Sequence, residues 1–232
     1  MQIKDSVVFV TGANRGLGLA FVQALLAGGA ARVYAAARVP ESIQIPGLIP
    51  VKLDVTSAAD IAAAAEQCSD VTLLINNAGI SDAKGGFLLQ PSSVEAATRE
   101  FQTNVLGPLQ LSQAFAPILA RNGGGAILNV LSVLSWISVP GAATYGVSKA
   151  AAWSLTNGLR HELQGQGTQV MGLHVGYIDT DMARGVDGDK TPPAEVVRQA
   201  LLGLEAGQTE VLADEISRQV RAGLSGGHAA SS

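Results

Sequence analysis

Val7-Val8-Phe9-Val10-Thr11-Gly12-Ala13-Asn14-Arg15-Gly16-Leu17-Gly18 is the stretch on which the fold turns. Val7–Val10 reads as a strand, and Gly16–Ala27 as a helix with Leu17, Phe21 and Leu25 at helical spacing. Glycine is needed between them wherever the backbone must turn tightly and approach a pyrophosphate with no Cβ in the way. The helix start then offers free N–H groups and the positive end of its dipole to an anion. A plain glycine-rich turn is the alternative; the strand–turn–helix context favours the phosphate site.

The same alternation runs outward along the chain. Arg32–Ala36, Leu48–Leu53, Val71–Asn76, Gly125–Val130, Val170–Val175 and Glu210–Ala213 read as further strands, with Pro50 blurring the start of one. Between them, helices are expected over Ser57–Cys68, from Ser92 toward Asn104 and on through about Arg121, and over Tyr145–Gln164, Pro193–Ala206 and Asp214–Ala222. Ser57 with Asp60, and Ser92 with Glu95, have capping-box spacing. Such alternation implies βαβ crossovers and a doubly wound parallel sheet of about seven strands with helices on both faces. No linker composition or internal repeat interrupts it, so residues 1–224 are expected to form one domain, with 225–232 as a flexible Gly/Ala/Ser-rich tail.

Composition narrows the class. Of 232 residues, 47% are hydrophobic and 15% charged, against about 25% charged in an ordinary domain, which excludes wholesale disorder. Fifteen Lys and Arg against nineteen Asp and Glu give a net charge of −4, and the cations are scattered singly, so no nucleic-acid surface is expected. Mean hydropathy is +0.28, yet no stretch reaches the roughly 18 uninterrupted apolar residues of a membrane span. The opening Met1–Asp5 runs into an apolar stretch too short for a signal-peptide core. The apolar content is Ala, Val and Leu, as suits a buried parallel sheet. A lone Cys68 excludes an internal disulfide and fits a reducing cytoplasm. His161 and His174 are isolated and His228 lies in the tail, so no metal site is expected.

The glycines are spaced G-x-x-x-G-x-G, with Thr11 before them; Asn76-Asn77-Ala78-Gly79 ends the fourth strand. Tyr145-x-x-x-Lys149 opens the long helix, Ser132 lies thirteen residues earlier, and Asn104 sits in the helix before that. In this order and spacing the chain resembles the short-chain dehydrogenase/reductase family, in its compact single-domain, NADP-preferring form, over about residues 6–215. The resemblance implies a Rossmann-like α/β fold, a nicotinamide dinucleotide and a small carbonyl or alcohol substrate.

It also implies roles for particular residues. Gly12, Asn14, Arg15, Gly16, Leu17 and Gly18 would surround the pyrophosphate, and Asp54 and Val55 the adenine. Asn76, Ala78 and Gly79 would line the path to the nicotinamide ribose, and Gly176, Ile178 and Thr180 the carboxamide and phosphates. Asp54 as a helix cap, and the asparagines as turn formers, are the alternatives. Where an NAD enzyme places an acid after its second strand, this chain has alanine and then Arg38. Arg38 and Arg15 can pair with a 2′-phosphate, so NADP(H) is expected over NAD(H), unless both are merely solvated surface charges.

Tyr145 and Lys149, four apart on a helix, share one face. A phenol titrates near 10, and a neighbouring ammonium together with an oxidised nicotinamide would lower that. Tyr145 is therefore expected as general acid, Ser132 as donor to the substrate carbonyl, and Lys149 as partner to both phenol and ribose. Asn104 would hold a relay water through its amide, or simply kink its helix. Ser135 competes with Ser132 but misses the family spacing by three residues. Leu134, Trp136, Ile137, Val139, Pro140 and Tyr177 suggest an apolar ketone or aldehyde, or else ordinary loop packing.

Where the family usually has Pro-Gly, this chain has Val175-Gly176, which removes a φ constraint. Ala183–Lys190 reads as a short mobile lid. A non-catalytic dinucleotide sensor would not need the Ser–Tyr–Lys set, and a nucleotide-sugar epimerase or dehydratase would carry a substrate domain beyond the about twenty residues after Glu210. Relatives pair through the helices at Asn104–Arg121 and Tyr145–Gln164, so a homodimer or homotetramer is expected, with Trp153 contributing; the same residues can equally be core.

Overall fold

The structure, a computed structural model, describes residues 1–224; the expected tail and His228 lie outside the described residues. Seven strands form one parallel sheet: β1 (Val7–Thr11), β2 (Arg32–Ala37), β3 (Leu48–Lys52), β4 (Leu73–Asn76), β5 (Ala126–Val130), β6 (Gln169–His174) and β7 (Glu210–Leu212). Their order across the sheet is β3-β2-β1-β4-β5-β6-β7. The chain winds outward one way from β1, returns, and winds outward the other way from β4. A Rossmann-like sheet of this kind opens a crevice at the carboxyl ends of β1 and β4, where the winding reverses.

Strand periodicity sorts the core onto the two faces. Val8 and Val10 of β1 pack with Leu17, Phe21 and Leu25 of α1 (Gly16–Ala27) and Val197, Ala200 and Leu204 of α6 (Pro193–Glu205). Phe9, between them in sequence, faces the other way with Leu74 and Ile127, against α2 (Ala58–Gln67), α4 (Gly107–Arg121) and α5 (Ala143–Leu163). Phe9 meets Phe115 of α4 at 4.9 Å between ring centroids. Cys68 is buried in this second layer, and burial pushes its thiol up to about 12. No helix among the described residues is long and apolar enough to cross a membrane.

Several elements differ from expectation for local reasons. Pro50 sits inside β3, where a missing N–H is tolerated because β3 is an edge strand. β4 opens at Leu73 because the Val71 N–H still closes a turn onto Cys68 O at 3.4 Å. Ser57 caps α2 by accepting from Asp60 N, but the Asp60 carboxylate bonds Asp54 N and does not close a box. Ser92, before α3 (Ser93–Phe101), makes no cap because its hydroxyl donates to Lys84 O at 3.0 Å. Between α3 and α4 the chain passes through a π turn, Gln102–Leu106, which carries Asn104. The last helix is α7 (Glu215–Leu224).

Candidate active site

The crevice begins with the glycine loop. Gly12 and Gly16 have φ of +64° and +54°, a region costly for any residue with a Cβ. At Gly18 the obstacle is space: a Cβ there would lie 2.1 Å from Gly12 O. Thr11 Oγ1 accepts from Asn77 N at 3.0 Å and Ala78 N at 2.9 Å, and Asn77 Nδ2 donates to Thr11 O at 2.9 Å and Gly12 O at 3.3 Å. These bonds lock the ends of β1 and β4 together under the loop. Asn77 and Thr11 were not singled out as site residues; the doubled asparagine after a buried strand is the signal that marks them.

Asn76 turns the other way. It is buried, its Nδ2 donates to Asn129 Oδ1 at 2.8 Å, and its own Oδ1 has no hydrogen-bond partner among the described residues. Asn76, expected along the path to the nicotinamide ribose, reaches Asn129 beneath the crevice and lines a small space with Lys149. Leu17 likewise sends its side chain into the core, leaving its main chain at the loop. Asn14 is exposed at the tip of the loop.

The first turn of α1 carries no acidic residue, and Arg15 at its N-cap makes no side-chain cap. The N–H groups of that turn are therefore unopposed and suited to an anion. This open helix start, at the end of a loop folded too tightly for a Cβ at Gly18, fits a dinucleotide pyrophosphate. Arg15 reaches Asp181 at 3.4 Å, and both side chains are well exposed. Arg38 stands exposed after β2. Asp54 Oδ1 accepts from Thr56 N and Oγ1, which hold its pKa below the ordinary carboxylate value, with Arg38 adding a smaller lowering. Val55 is buried against Gly107, so its side chain belongs to the core.

The Ser132 loop follows β5. Leu131 N donates to Leu173 O and Val133 N to Val175 O, both at 2.8 Å, which extends the β5–β6 pairing past the strand. Ser132 Oγ accepts from Leu134 N at 3.1 Å, so its own proton is free to be donated elsewhere. Ser135 bonds back to Ser132 N through its hydroxyl and serves the loop. Leu134 is buried.

Tyr145 and Lys149 enter from the first turns of α5. Burial raises the phenol above its ordinary pKa, hydrogen bonding to Ser132 acts the other way, and the Glu100 carboxylate adds to the rise. Lys149 is 5% exposed; burial lowers its ammonium to about 8, and its Nζ donates to Val130 O at 2.8 Å. That Nζ lies 5.6 Å from the Tyr145 ring centroid. A Cβ on Gly79 would lie 3.2 Å from Asn104 Oδ1 and 3.8 Å from Lys149 Nζ, so the end of β4 reaches the same place.

Asn104 is positioned differently from expectation. Its Oδ1 accepts from Ile80 N, and its Nδ2 donates to Ile80 O and Ser148 Oγ, each at 2.9 Å. Both amide protons of Asn104 are thus committed to clamping the loop after β4 to α5, while its Oδ1 keeps a second acceptor site. Beside it, Asn76, Asn104, Asn129, Val130 and Lys149 line a space of about 10 Å³, room for about one water.

After β6, Gly176 N donates to Asp214 Oδ2 at 2.5 Å, and Thr180 lies against Gly16. Ile178 bridges to Thr191, which ties together the chain on either side of the expected lid, Ala183–Lys190. Ile137, Tyr177 and Met182 are exposed apolar side chains of the segments following β5 and β6. Trp136, expected as a substrate wall, is instead stacked on His174, 3.9 Å between centroids and 20° from parallel. Trp153, expected at an oligomer interface, donates from Nε1 to Glu210 Oε1 at 2.8 Å. Among the described residues no cluster of His, Cys, Asp or Glu is arranged to hold a metal.

A family model described as short chain dehydrogenase matches residues 6–191. A short chain dehydrogenase from Burkholderia cenocepacia, solved in complex with NADP, is 40% identical, with 98% of this chain and 95% of that one covered and a TM-score of 0.93. An NADPH-bound carbonyl reductase from chicken fatty liver is 33% identical over 87% and 91% of the two chains, with a TM-score of 0.77. A relative from Burkholderia phymatum, in complex with NAD, is 26% identical over 95% and 93%, with a TM-score of 0.83. Of the short chain dehydrogenase tazN from Aspergillus terreus, 32% identical over 202 residues and 80% of this chain, the chain spans 44% of the length.

Proposed function

Because the chain belongs to the short-chain dehydrogenase/reductase family of oxidoreductases and is built to hold a nicotinamide dinucleotide, we propose that it reduces an apolar ketone or aldehyde with NADPH, or runs the reverse oxidation. The observation that carries this reading is the meeting of Ser132, Tyr145 and Lys149 beside the glycine cradle. The nicotinamide, when bound, supplies the hydride to the carbonyl carbon. Ser132 Oγ, whose acceptor side is filled by Leu134 N, donates to the carbonyl oxygen and orients it. Tyr145 gives its phenolic proton to that oxygen as the C=O π bond is lost, leaving an alcohol and a phenolate. The Lys149 ammonium stabilises the phenolate and returns a proton to it.

Burial that raises the Tyr145 pKa keeps the phenol protonated, as suits the acid in the reducing direction. Gly12, Asn14, Gly16, Gly18 and the main chain of Leu17 hold the pyrophosphate in this reading. Asp54 and Val55 contribute at the adenine, and Ala78, Gly79, Gly176, Ile178 and Thr180 toward the nicotinamide. Arg15, in the loop after β1, and Arg38, directly after β2, supply the preference for a 2′-phosphate in this reading. Asn104 acts as a clamp, and exposed Ile137, Tyr177 and Met182 favour an apolar substrate.

NADPH consumption against a panel of ketones and aldehydes tests the reading. Tyr145→Phe should lower kcat by about 10²- to 10⁴-fold while NADPH still binds. Wild-type kcat in that variant overturns the scheme, and tight NADPH binding with no turnover of any carbonyl points to a sensor. A homodimer through α4 and α5 completes the proposal, and light scattering decides it.

A further inference from the structure

The reaction assigned above uses Ser132 but gives no role to a polar and aromatic cluster packed behind it. His174, the last residue of β6, is 0% exposed. Its Nδ1 lies 3.3 Å from Ser132 O. A carbonyl only accepts, so Nδ1 carries the proton and Nε2 has a lone pair. Nε2 faces Glu210 Oε1 at 3.6 Å and has no hydrogen-bond partner among the described residues. Glu210 in turn accepts from Trp153 Nε1 at 2.8 Å and from Arg221 at 3.3 Å. The Arg221 guanidinium, on α7, stands 5.1 Å from the Trp136 centroid and 5.8 Å from that of Trp153. Trp136 ends the turn that Ser132 begins, so one imidazole touches that turn at both ends. Burial pushes His174 down to about 4, which keeps the ring neutral at pH 7.

We propose that His174 is a positioning residue which, through Trp136, Trp153, Glu210 and Arg221, sets the backbone of Ser132 and makes its placement depend on the C-terminal helix. Ser132 O takes no part in the sheet extension, where Leu131 N and Val133 N bond on either side of it; Ser135 N donates to it from within the turn at 3.0 Å, and His174 Nδ1 ties it to the end of β6. A second connection runs the same way, since Asp214 accepts from both Gly176 N and Ser217 N in the first turn of α7. The C-terminal helix thus braces both the serine loop and the segment after β6.

The inference rests on the carbonyl-reductase reading for its kinetic consequence, and its test separates the two. His174→Phe keeps the stack on Trp136 and removes the donor; His174→Asn restores a donor at the position of Nδ1. NADPH affinity, kcat and KM are measured for both variants and for Arg221→Ala. Nitrogen NMR at pH 7 follows the His174 ring in the wild type and the Ser132 and Leu134 amides throughout. The expected result is the Nδ1–H tautomer, a kcat about 10- to 100-fold lower in His174→Phe with NADPH affinity within about twofold, and most of that activity regained in His174→Asn. Arg221→Ala should move the Ser132 and Leu134 amide resonances. An Nε2–H tautomer, wild-type kcat in His174→Phe, or loss of NADPH affinity in step with kcat overturns the proposal. If the wild-type protein reduces no carbonyl, the functional reading fails, while the tautomer and the amide shifts still decide the positioning role.

Discussion

The two halves of the sheet hold their sides of the crevice by different means. At β1 and β4 the work is done by main chain and small residues: positive-φ Gly12 and Gly16, the crowded Gly18, and Thr11 and Asn77 bonded to backbone. At β5, β6 and β7 it is done by large side chains, with His174, Trp136, Trp153, Glu210 and Arg221 packed behind Ser132. A pyrophosphate is recognised by N–H groups and needs close approach, so Cβ atoms are excluded from its cradle. A hydroxyl aimed at a reacting carbonyl needs a rigid support, and interlocked side chains supply it.

The largest test of this contrast is Gly18→Ala. A methyl group 2.1 Å from Gly12 O forces the loop apart, and NADPH affinity should fall more than about 100-fold by titration calorimetry. Unchanged affinity would mean that the cradle does not depend on close approach. Next comes Asn77→Ala, which strips donors from Thr11 O and Gly12 O. Unfilled buried acceptors cost about 1–3 kcal/mol, which a lower thermal midpoint should register even without cofactor. Asn76→Ala, away from the loop, should affect stability and leave NADPH affinity nearly unaltered.

Arg38→Ala should weaken NADPH about 10-fold and NADH little, because a guanidinium matters only where a 2′-phosphate is present. Equal loss for both cofactors would remove Arg38 from the preference. The smallest expected effect belongs to the other half. His174 titrates near 6.5 when unfolded and is held neutral down to about 4 when folded. The unfolded chain therefore binds the extra proton first, and stability falls as pH drops from about 6.5 to 4. His174→Phe should flatten that part of a pH-dependent melting curve, with the Glu210 and Arg221 charges facing the ring as the remaining contributors.

Legibility differed in the same way. The glycine loop could be read because its demands are local: a turn and a helix start require particular φ values and no side chain, whatever surrounds them. The pairing of Tyr145 with Lys149 is equally local, since a four-residue spacing on a helix sets a shared face. Asn76 and Asn77 were harder, because which of two adjacent residues meets the loop depends on strand phase. The pairing of Trp136 with His174 leaves no local mark in the sequence. They are 38 residues apart and meet only because β5 and β6 are neighbours in the sheet.

The alternation of strands and helices, the anion-ready start of α1 and a serine, a tyrosine and a lysine in useful spacing are all written in short stretches of the chain. Each of those follows from neighbours within a few residues, where backbone sterics and helix geometry leave little choice. It takes the folded chain to show that Asn104 donates to Ile80 and Ser148, that Asn77 closes the cradle, and that α7 reaches through Arg221 and Glu210 toward Ser132. Those contacts join residues far apart in the chain, and only strand order and helix packing bring them within hydrogen-bond reach.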